Sequence, residues 1–539
     1  MQIITSELTS GTLYEYAKKV EHTLLITVDP REHTNTYSQT EHPDNYAEPE
    51  FTGKYLDLCS KIYGATGNKT ALENAGAVVE SIIKNQRSDG YLGCLRSGLE
   101  FKNFSVWNQA FTILGLTSYH RVTGDSRALE AAVKCAEFVM NHFIENGVDI
   151  LDAPNAGTQH ISMLAPLCDL YAVTKKDRHK AYILHIVNAL KHSDLNFFDF
   201  DDILKLRSQK GIENFVILMG ILKYADLTGD DSAVESVEKY WQQVFDTQIR
   251  NTGNGTTFER FSEGGNGCMF LDAESRPNET CVAVGWCELS LSLFYRRQDK
   301  KYLDAIDKTL YNHILASIAE DGSDFAYYQP NYGKRVRAMN GYYKCCRYRG
   351  FTLFTYMNDM LVYENSSTVI PLLYVSAKYV SDDTELEIVS DYPYDSTVSI
   401  KVISKKEKML KLRVPDGFTA DVITTCGVSS RPTVVDGYIA VPLNIGAKLE
   451  CTLTLSPSLK TEYGVIDGKK YVSFTYGNLL LAAKNAGPET TVSEKELVIE
   501  KRPTRPGEKI SFLAKAADSG HELCDYSSAD DYTVWIGLK

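Results

Sequence analysis

"AFTILGLTSYHRVTGDSRALEAAVKCAEFVM", from Ala110 to Met140, holds two helical apolar periods joined by Thr123-Gly124-Asp125. Glycine supplies the left-handed residue that ends the first helix, and the aspartate side chain caps the second. The product is an antiparallel helical hairpin. The pattern recurs at Tyr55–Ile83 around Thr66-Gly67-Asn68, at Met163–Leu190 around Thr174 with the glycine lost, and at Phe215–Phe245 around Thr228-Gly229-Asp230. Val282–Ile314 is a fifth copy with a different turn, and a helix from about Gly350 to Leu361 begins a closing unit. The breaks recur roughly every 50 to 57 residues, which fits stacked hairpins. About six such hairpins close into an (α/α)6 toroid, whereas open solenoids usually have shorter repeats.

From about Ser366 the apolar period switches to two. "STVSIKVI", "MLKLRVP", "KLECTLTL" and "YVSFTYGNLLLAA" alternate apolar and polar residues between turn signals such as "VPDG" and "VIDGKK". The expected fold is multidomain α+β. An (α/α)6 barrel over residues 10–365 carries the catalysis. An antiparallel β-sandwich region follows over residues 366–539, as one or two small sandwiches, and residues 1–9 can add a strand to it.

The bulk numbers set limits on function. The chain has 539 residues, 43% apolar and 24% charged, which is ordinary globular composition. A formal net charge of -13 without a clustered Lys/Arg patch disfavours nucleic acid as a partner. No apolar run reaches membrane length. The first twenty residues lack a basic segment followed by an apolar one. The twelve cysteines lack disulfide-framework spacing. These features lead us to expect a cytoplasmic protein with reduced thiols, with a homodimer admitted.

In a toroid, loops at one end line a central pocket. The non-repeating stretches Arg87–Asn108, Leu151–Ser162, Leu204–Asn214 and Arg250–Gly267 all fall opposite the Thr-Gly-Asp turns. Two further stretches carry metal-ligand chemistry. "NETC" pairs Glu279 with Cys281, and "KCCRYRG" places Cys345 beside Cys346. One carboxylate and three thiolates match the donor count of a closed zinc site. Spacing of two puts Glu279 and Cys281 on one side of an extended segment or together at a helix start. The adjacent cysteines call for a tight loop. Buried free thiols without a metal are the competing reading.

These residues resemble glycoside hydrolase family 127, the β-L-arabinofuranosidase group. The likeness rests on "DGYLG" at Asp89 to Gly93, the helix pairs with their Thr-Gly-Asp turns, "PNETC" at Pro277 to Cys281, the Cys345-Cys346 pair and "YGNLLLA" at Tyr476 to Ala482. The resemblance implies zinc as cofactor, held by Glu279, Cys281, Cys345 and Cys346, with Cys345 also the nucleophile. It implies an acid/base glutamate shortly before the E-x-C element. Glu263, sixteen residues before Glu279, matches, and Glu259 fits that spacing less well. The mechanism implied is net retention through a thioglycosyl intermediate.

The chain departs from the family pattern at the sugar. Arg347-Tyr348 stand where the family has prolines. Asn108 and Thr158 stand where it has histidines, and a third family histidine has no counterpart in "KGIENF". Candidate sugar contacts are Asn108, Gln159, His160, Glu213, Asn214, Tyr327 and Tyr343. Arg347 and Arg349 suit either an acidic substrate group or local salt bridges. The function expected is a zinc-dependent retaining glycosidase acting on a non-reducing-end, β-L-arabinofuranoside-like residue of oligosaccharides. The alternatives are another sugar-active enzyme on this toroid, such as an epimerase or a uronide lyase or hydrolase, and an inactive sugar-binding relative.

Overall fold

The hairpin turns close as their side chains dictate. In the computed structural model, which describes residues 5–38, 47–338, 344–424, 433–505, 507–516 and 519–539, Gly67, Gly124 and Gly229 end their helices at φ of 68°, 74° and 73°. Asn68, Asp125 and Asp230 then accept a backbone N–H from the first turn of the next helix. The preceding threonine works on both sides of the turn. Thr123 Oγ1 donates to the Tyr119 carbonyl and accepts from the Asp125 N–H. Where glycine is missing, Lys175 and Gln298 take the left-handed conformation themselves, at φ of 52° and 57°.

Among the described residues, twelve α-helices of nine or more residues build the toroid: α1 Thr12–His22, α2 Glu48–Thr66, α3 Lys69–Asn85, α4 Ser105–Thr123, α5 Ser126–Met140, α6 Leu164–Thr174, α7 Asp177–Lys191, α8 Gly211–Thr228, α9 Asp231–Thr247, α10 Thr280–Arg297, α11 Lys300–Lys308 and α12 Lys344–Thr355. The even-numbered helices form an inner ring. Each touches the next, and α12 returns to α2, which closes the toroid. These helices are buried on almost every side, as a fully enclosed helix must be. The closest approach in the ring uses glycine: a Cβ on Gly53 of α2 would sit 2.4 Å from the Phe111 carbonyl of α4. The outer helices are amphipathic and cover the ring, and the stacked pair Trp241 and Trp286, 4.8 Å apart, joins α9 to α10. The closing hairpin differs from expectation. Its inner helix begins at Lys344, and its outer partner is α1, from the other end of the helical region.

Strands take over at Val362 and assemble into three sheets of six, five and ten strands. Thr5–Ser10 pairs antiparallel with Val375–Val380 in the first of these. The pairing is antiparallel almost throughout. Thr368–Val369 against Met409–Leu410 and Thr491–Val492 against Gly537–Leu538 run parallel, so the region is mixed. Two polar connections tie sheets to barrel. Arg413, fully buried, donates to Asp304 and Asp307 of α11, and Tyr392 also donates to Asp307. Tyr332–Lys334, a strand from inside the helical region, pairs with Asp531–Thr533 of the ten-stranded sheet.

Candidate active site and metal centre

Glu279 is the N-cap residue of α10, and Cys281 lies in that helix's first turn. The segment entering α10 is fixed by polar contacts. Asn278, at φ 56°, donates to the Gln329 carbonyl and to Asn331 Oδ1, and it accepts from Arg250. Thr280 N–H donates to the Tyr327 carbonyl. Cys345 and Cys346 occupy the first turn of α12, so a helix start, not a loop, presents the adjacent thiols. Two helix N-termini therefore converge. One ligand atom from each of Glu279, Cys281, Cys345 and Cys346 lies within 4.8 Å of all the others.

The donor set fits a tetrahedral thiophilic cation. Metal–sulfur bonds of about 2.3 Å put two sulfurs about 3.8 Å apart, and the Cys281 and Cys345 sulfurs are separated by 3.8 Å. Cys346 Sγ lies 3.2 Å from Cys281 Sγ and 4.0 Å from Glu279 Oε1. All the described cysteines are free thiols. Glu279 Oε2 is buried and finds no hydrogen-bond partner among the described residues. Burial, with the nearby charges of Glu259 and Cys345, pushes the Glu279 carboxyl well above its ordinary range. A buried carboxylate with a bare oxygen facing three thiols is the donor set a cation satisfies.

Above this cluster is a cavity of about 480 Å³. Phe51, Phe104, Trp107 and Phe111 form apolar walls, and Glu50, Lys54, Lys210, Glu213, Glu259, Tyr327, Lys344 and Arg349 supply polar groups. Cys345 and Cys281 face it, while Cys346 lies behind them. Hydrogen bonds from the Cys281 and Cys346 thiols hold the Cys345 thiol well below its ordinary pKa against the opposing effect of burial, and the Lys54 ammonium adds to this. The part-exposed sulfur is therefore also the one most readily ionised.

Glu259 lines the same cavity. Tyr327 and Tyr328 donate to its Oε1 at 2.9 and 2.8 Å, and Lys210 pairs with its Oε2 at 2.8 Å. Burial alone would raise its pKa, but the Lys210 charge and these hydrogen bonds hold the carboxyl below the usual range. Glu263 does not reach the cavity; its side chain is exposed four residues further along the loop. The reason lies in the backbone. Thr257 and Arg260 exchange both N–H···O bonds at 3.0 Å, leaving Phe258 and Glu259 as a two-residue turn at φ of 50° and 66°. Such turns normally carry Asn-Gly, and "FE" gives no sequence signal for one. Left-handed backbone costs about 1–2 kcal/mol per non-glycine residue, and here it aims Glu259 inward.

The other expected contacts divide. Glu213 lines the cavity, with Thr158 donating to it and Lys210 3.9 Å away. Tyr327 lines it as well. Asn108, Gln159 and His160 are buried in the helical packing and do not line it. His160 bonds the Ile150 carbonyl and packs on Phe143, and burial pulls its pKa down to about 4. Asn214 donates to the Ser208 carbonyl and to Tyr240. Tyr343 lies outside the described residues. Arg349 pairs with Glu288 at 2.5 Å and Arg347 donates to the Ser323 carbonyl, so both make local contacts. The Glu50–Lys54 pair was missed, although an i,i+4 Glu/Lys pair on an otherwise apolar inner helix is a readable signal.

Comparison with known proteins agrees with this fold. The β-L-arabinofuranosidase GH127 catalytic domain matches residues 6–359, and the chain belongs to that glycoside hydrolase family. A non-reducing end β-L-arabinofuranosidase of Bifidobacterium longum subsp. longum is 22% identical over 446 residues, 71% of this chain; the match spans 66% of that relative's length. The structure of a GH127 β-L-arabinofuranosidase from Geobacillus stearothermophilus T6 superposes with a TM-score of 0.79 at 16% identity, covering 99% of this chain and 100% of that one. A second GH127 β-arabinofuranosidase gives 0.79 at 17% identity over 99% and 97% of the two chains. At these identities the superpositions establish the shared fold.

Proposed function

We propose that this protein is a retaining glycosidase that removes a non-reducing-end, β-L-arabinofuranoside-like residue from oligosaccharides, with Cys345 as nucleophile. The observation that supports the reading is that a part-exposed cysteine and the Glu259 carboxylate line one cavity, with the Tyr327 hydroxyl donating to that carboxylate. Cys345 Sγ attacks the anomeric carbon as a thiolate while the glycosidic C–O bond breaks. Glu259, ionised beside Lys210 before substrate binds, takes up a proton from water as the substrate enters and passes it to the departing oxygen. The glycosyl–sulfur bond is then cleaved by water that Glu259 deprotonates, and two displacements leave the configuration unchanged. Tyr327, Tyr328 and Lys210 orient the carboxylate between its two roles. Glu279, Cys281, Cys345 and Cys346 would hold zinc, which when bound supplies positive charge that keeps the sulfur anionic and eases its departure.

The glycosyl unit is neutral. Each lysine on the cavity wall is already paired with a glutamate: Lys54 with Glu50, Lys210 with Glu259 and Lys344 with Glu48. With Arg349 also paired, an acidic sugar finds no uncommitted cation among the described residues that line the cavity. Turnover of a β-L-arabinofuranoside followed by NMR tests the mechanism: the β-anomer should appear first, and rapid quenching should leave a glycosyl adduct on the peptide carrying Cys345. First appearance of the α-anomer, or an adduct elsewhere, rejects it.

A further inference from the structure

The two-residue turn that aims Glu259 inward leaves its neighbour unexplained. Phe258 is 54% exposed, although it is a large aromatic residue at φ 50°, where glycine or asparagine fits without strain. Its ring is not part of the hydrophobic core, and the Arg276 guanidinium lies over it, 5.8 Å from the ring centroid. Its backbone N–H bonds the Arg276 carbonyl, which any residue here would do. The fold thus gains from phenylalanine only the exposed cation–π contact, worth about 0.5–1 kcal/mol, against about 1–2 kcal/mol for the left-handed backbone.

Its location supplies the use. Glu259 is only one-fifth exposed and borders the cavity, whereas the preceding ring stands in solvent on the same turn. The turn packs against the start of α8, where Gly211 N–H bonds the Glu259 carbonyl, and against Arg276 at the entrance to the ligand-bearing segment. An acid that protonates a glycosidic oxygen lies beside the bond to the leaving group. The glycosyl unit sits inward toward Cys345, so the leaving group extends outward past Glu259. An exposed aromatic face there matches the apolar C–H face of a pyranose ring.

We propose that Phe258 is the platform of a leaving-group subsite that stacks a pyranosyl unit, so that the protein prefers glycosides of pyranose sugars to those of small alcohols. The inference rests on the glycosidase reading with Glu259 as acid/base. The test is Phe258→Asn, which suits the left-handed turn and should keep or raise the Tm. Two probes carry the same glycosyl group, a β-L-arabinofuranosyl galactopyranose disaccharide and methyl β-L-arabinofuranoside. The ratio of their kcat/KM values should fall about tenfold in the variant, with the loss on the disaccharide appearing in KM. An unchanged ratio overturns the proposal, as does an equal loss on both probes. Binding of methyl β-D-galactopyranoside, followed by saturation-transfer NMR, gives a readout independent of turnover. Its signal should weaken in Phe258→Asn, and equal signals reject the platform even if the wild-type protein turns over neither glycoside.

Discussion

Replacing Glu259 by glutamine removes one charge and little else. The amide retains the volume and can still accept from Tyr327 and Tyr328, but it loses the 2.8 Å ion pair with Lys210 and every exchangeable acid proton. General acid–base catalysis contributes about 10²–10⁴ in rate, or about 2.7–5.4 kcal/mol at 1.36 kcal/mol per decade. With a sugar leaving group, kcat should fall by that range. With a 4-nitrophenyl leaving group the first step needs no proton, so the burst of nitrophenolate should persist while the steady state collapses. Stopped-flow absorbance reads both phases, and intact-protein mass spectrometry should show the glycosyl adduct accumulating. Glu263→Gln is the matched control: its exposed side chain lies off the cavity, and it should stay within about twofold of wild type, since isolated surface changes are nearly neutral. A silent Glu259→Gln beside a dead Glu263→Gln would refute the geometry on which the assignment rests.

Freshly purified protein should contain one zinc per chain by elemental analysis, and chelation should lower the Tm; Cys281→Ala should bind substoichiometric metal. Arg413→Met leaves Asp307 buried without its cation, while Asp304 keeps Lys300, and urea denaturation should show a loss of about 3–5 kcal/mol. Lys175→Gly relieves a left-handed residue at a helix end and should gain about 0.4–1 kcal/mol in the same assay. His33 is held neutral, its pKa pulled by burial down to about 3. The unfolded chain titrates near 6.5, so it binds the extra proton first and the contribution of His33 is lost as pH falls below that value. Between pH 8 and pH 5 wild type should lose about 2 kcal/mol more than His33→Gln, and equal losses would reject the assignment.

Much of this fold was legible because its signals are local. A threonine, a glycine and an aspartate or asparagine in a row fix a helix end, a turn and a helix start, and at positions 66, 123 and 228 the threonine hydroxyl and the glycine N–H each donate to a carbonyl four residues back. The closing hairpin was less legible because α1 and α12 come from opposite ends of the helical region, and no turn links them. Side-chain chemistry alone left the Glu279, Cys281, Cys345 and Cys346 set in competition with buried free thiols, and the family resemblance favoured it as one cluster. Glu259 was harder to read because spacing along a chain does not reveal direction: Phe258-Glu259 form a turn against their own preference, which depends on tertiary packing. His160 and Asn108 had the right chemistry and were absorbed by the core instead.

The strand Tyr332–Lys334 has a consequence for how the site comes to exist. Asn331, which holds the Asn278 side chain beside Glu279, is itself bonded by the Val534 N–H, and Arg335 is clamped between Tyr526 and Tyr532. The ligand-bearing loop is thus braced by residues synthesised about two hundred positions later. During translation the toroid's helices emerge first, with Arg250 and the Gln329 carbonyl already able to hold Asn278, and the contact from Val534 joins only when the last strands are made. The sheet therefore reinforces from a distance a segment that the helical region begins to shape.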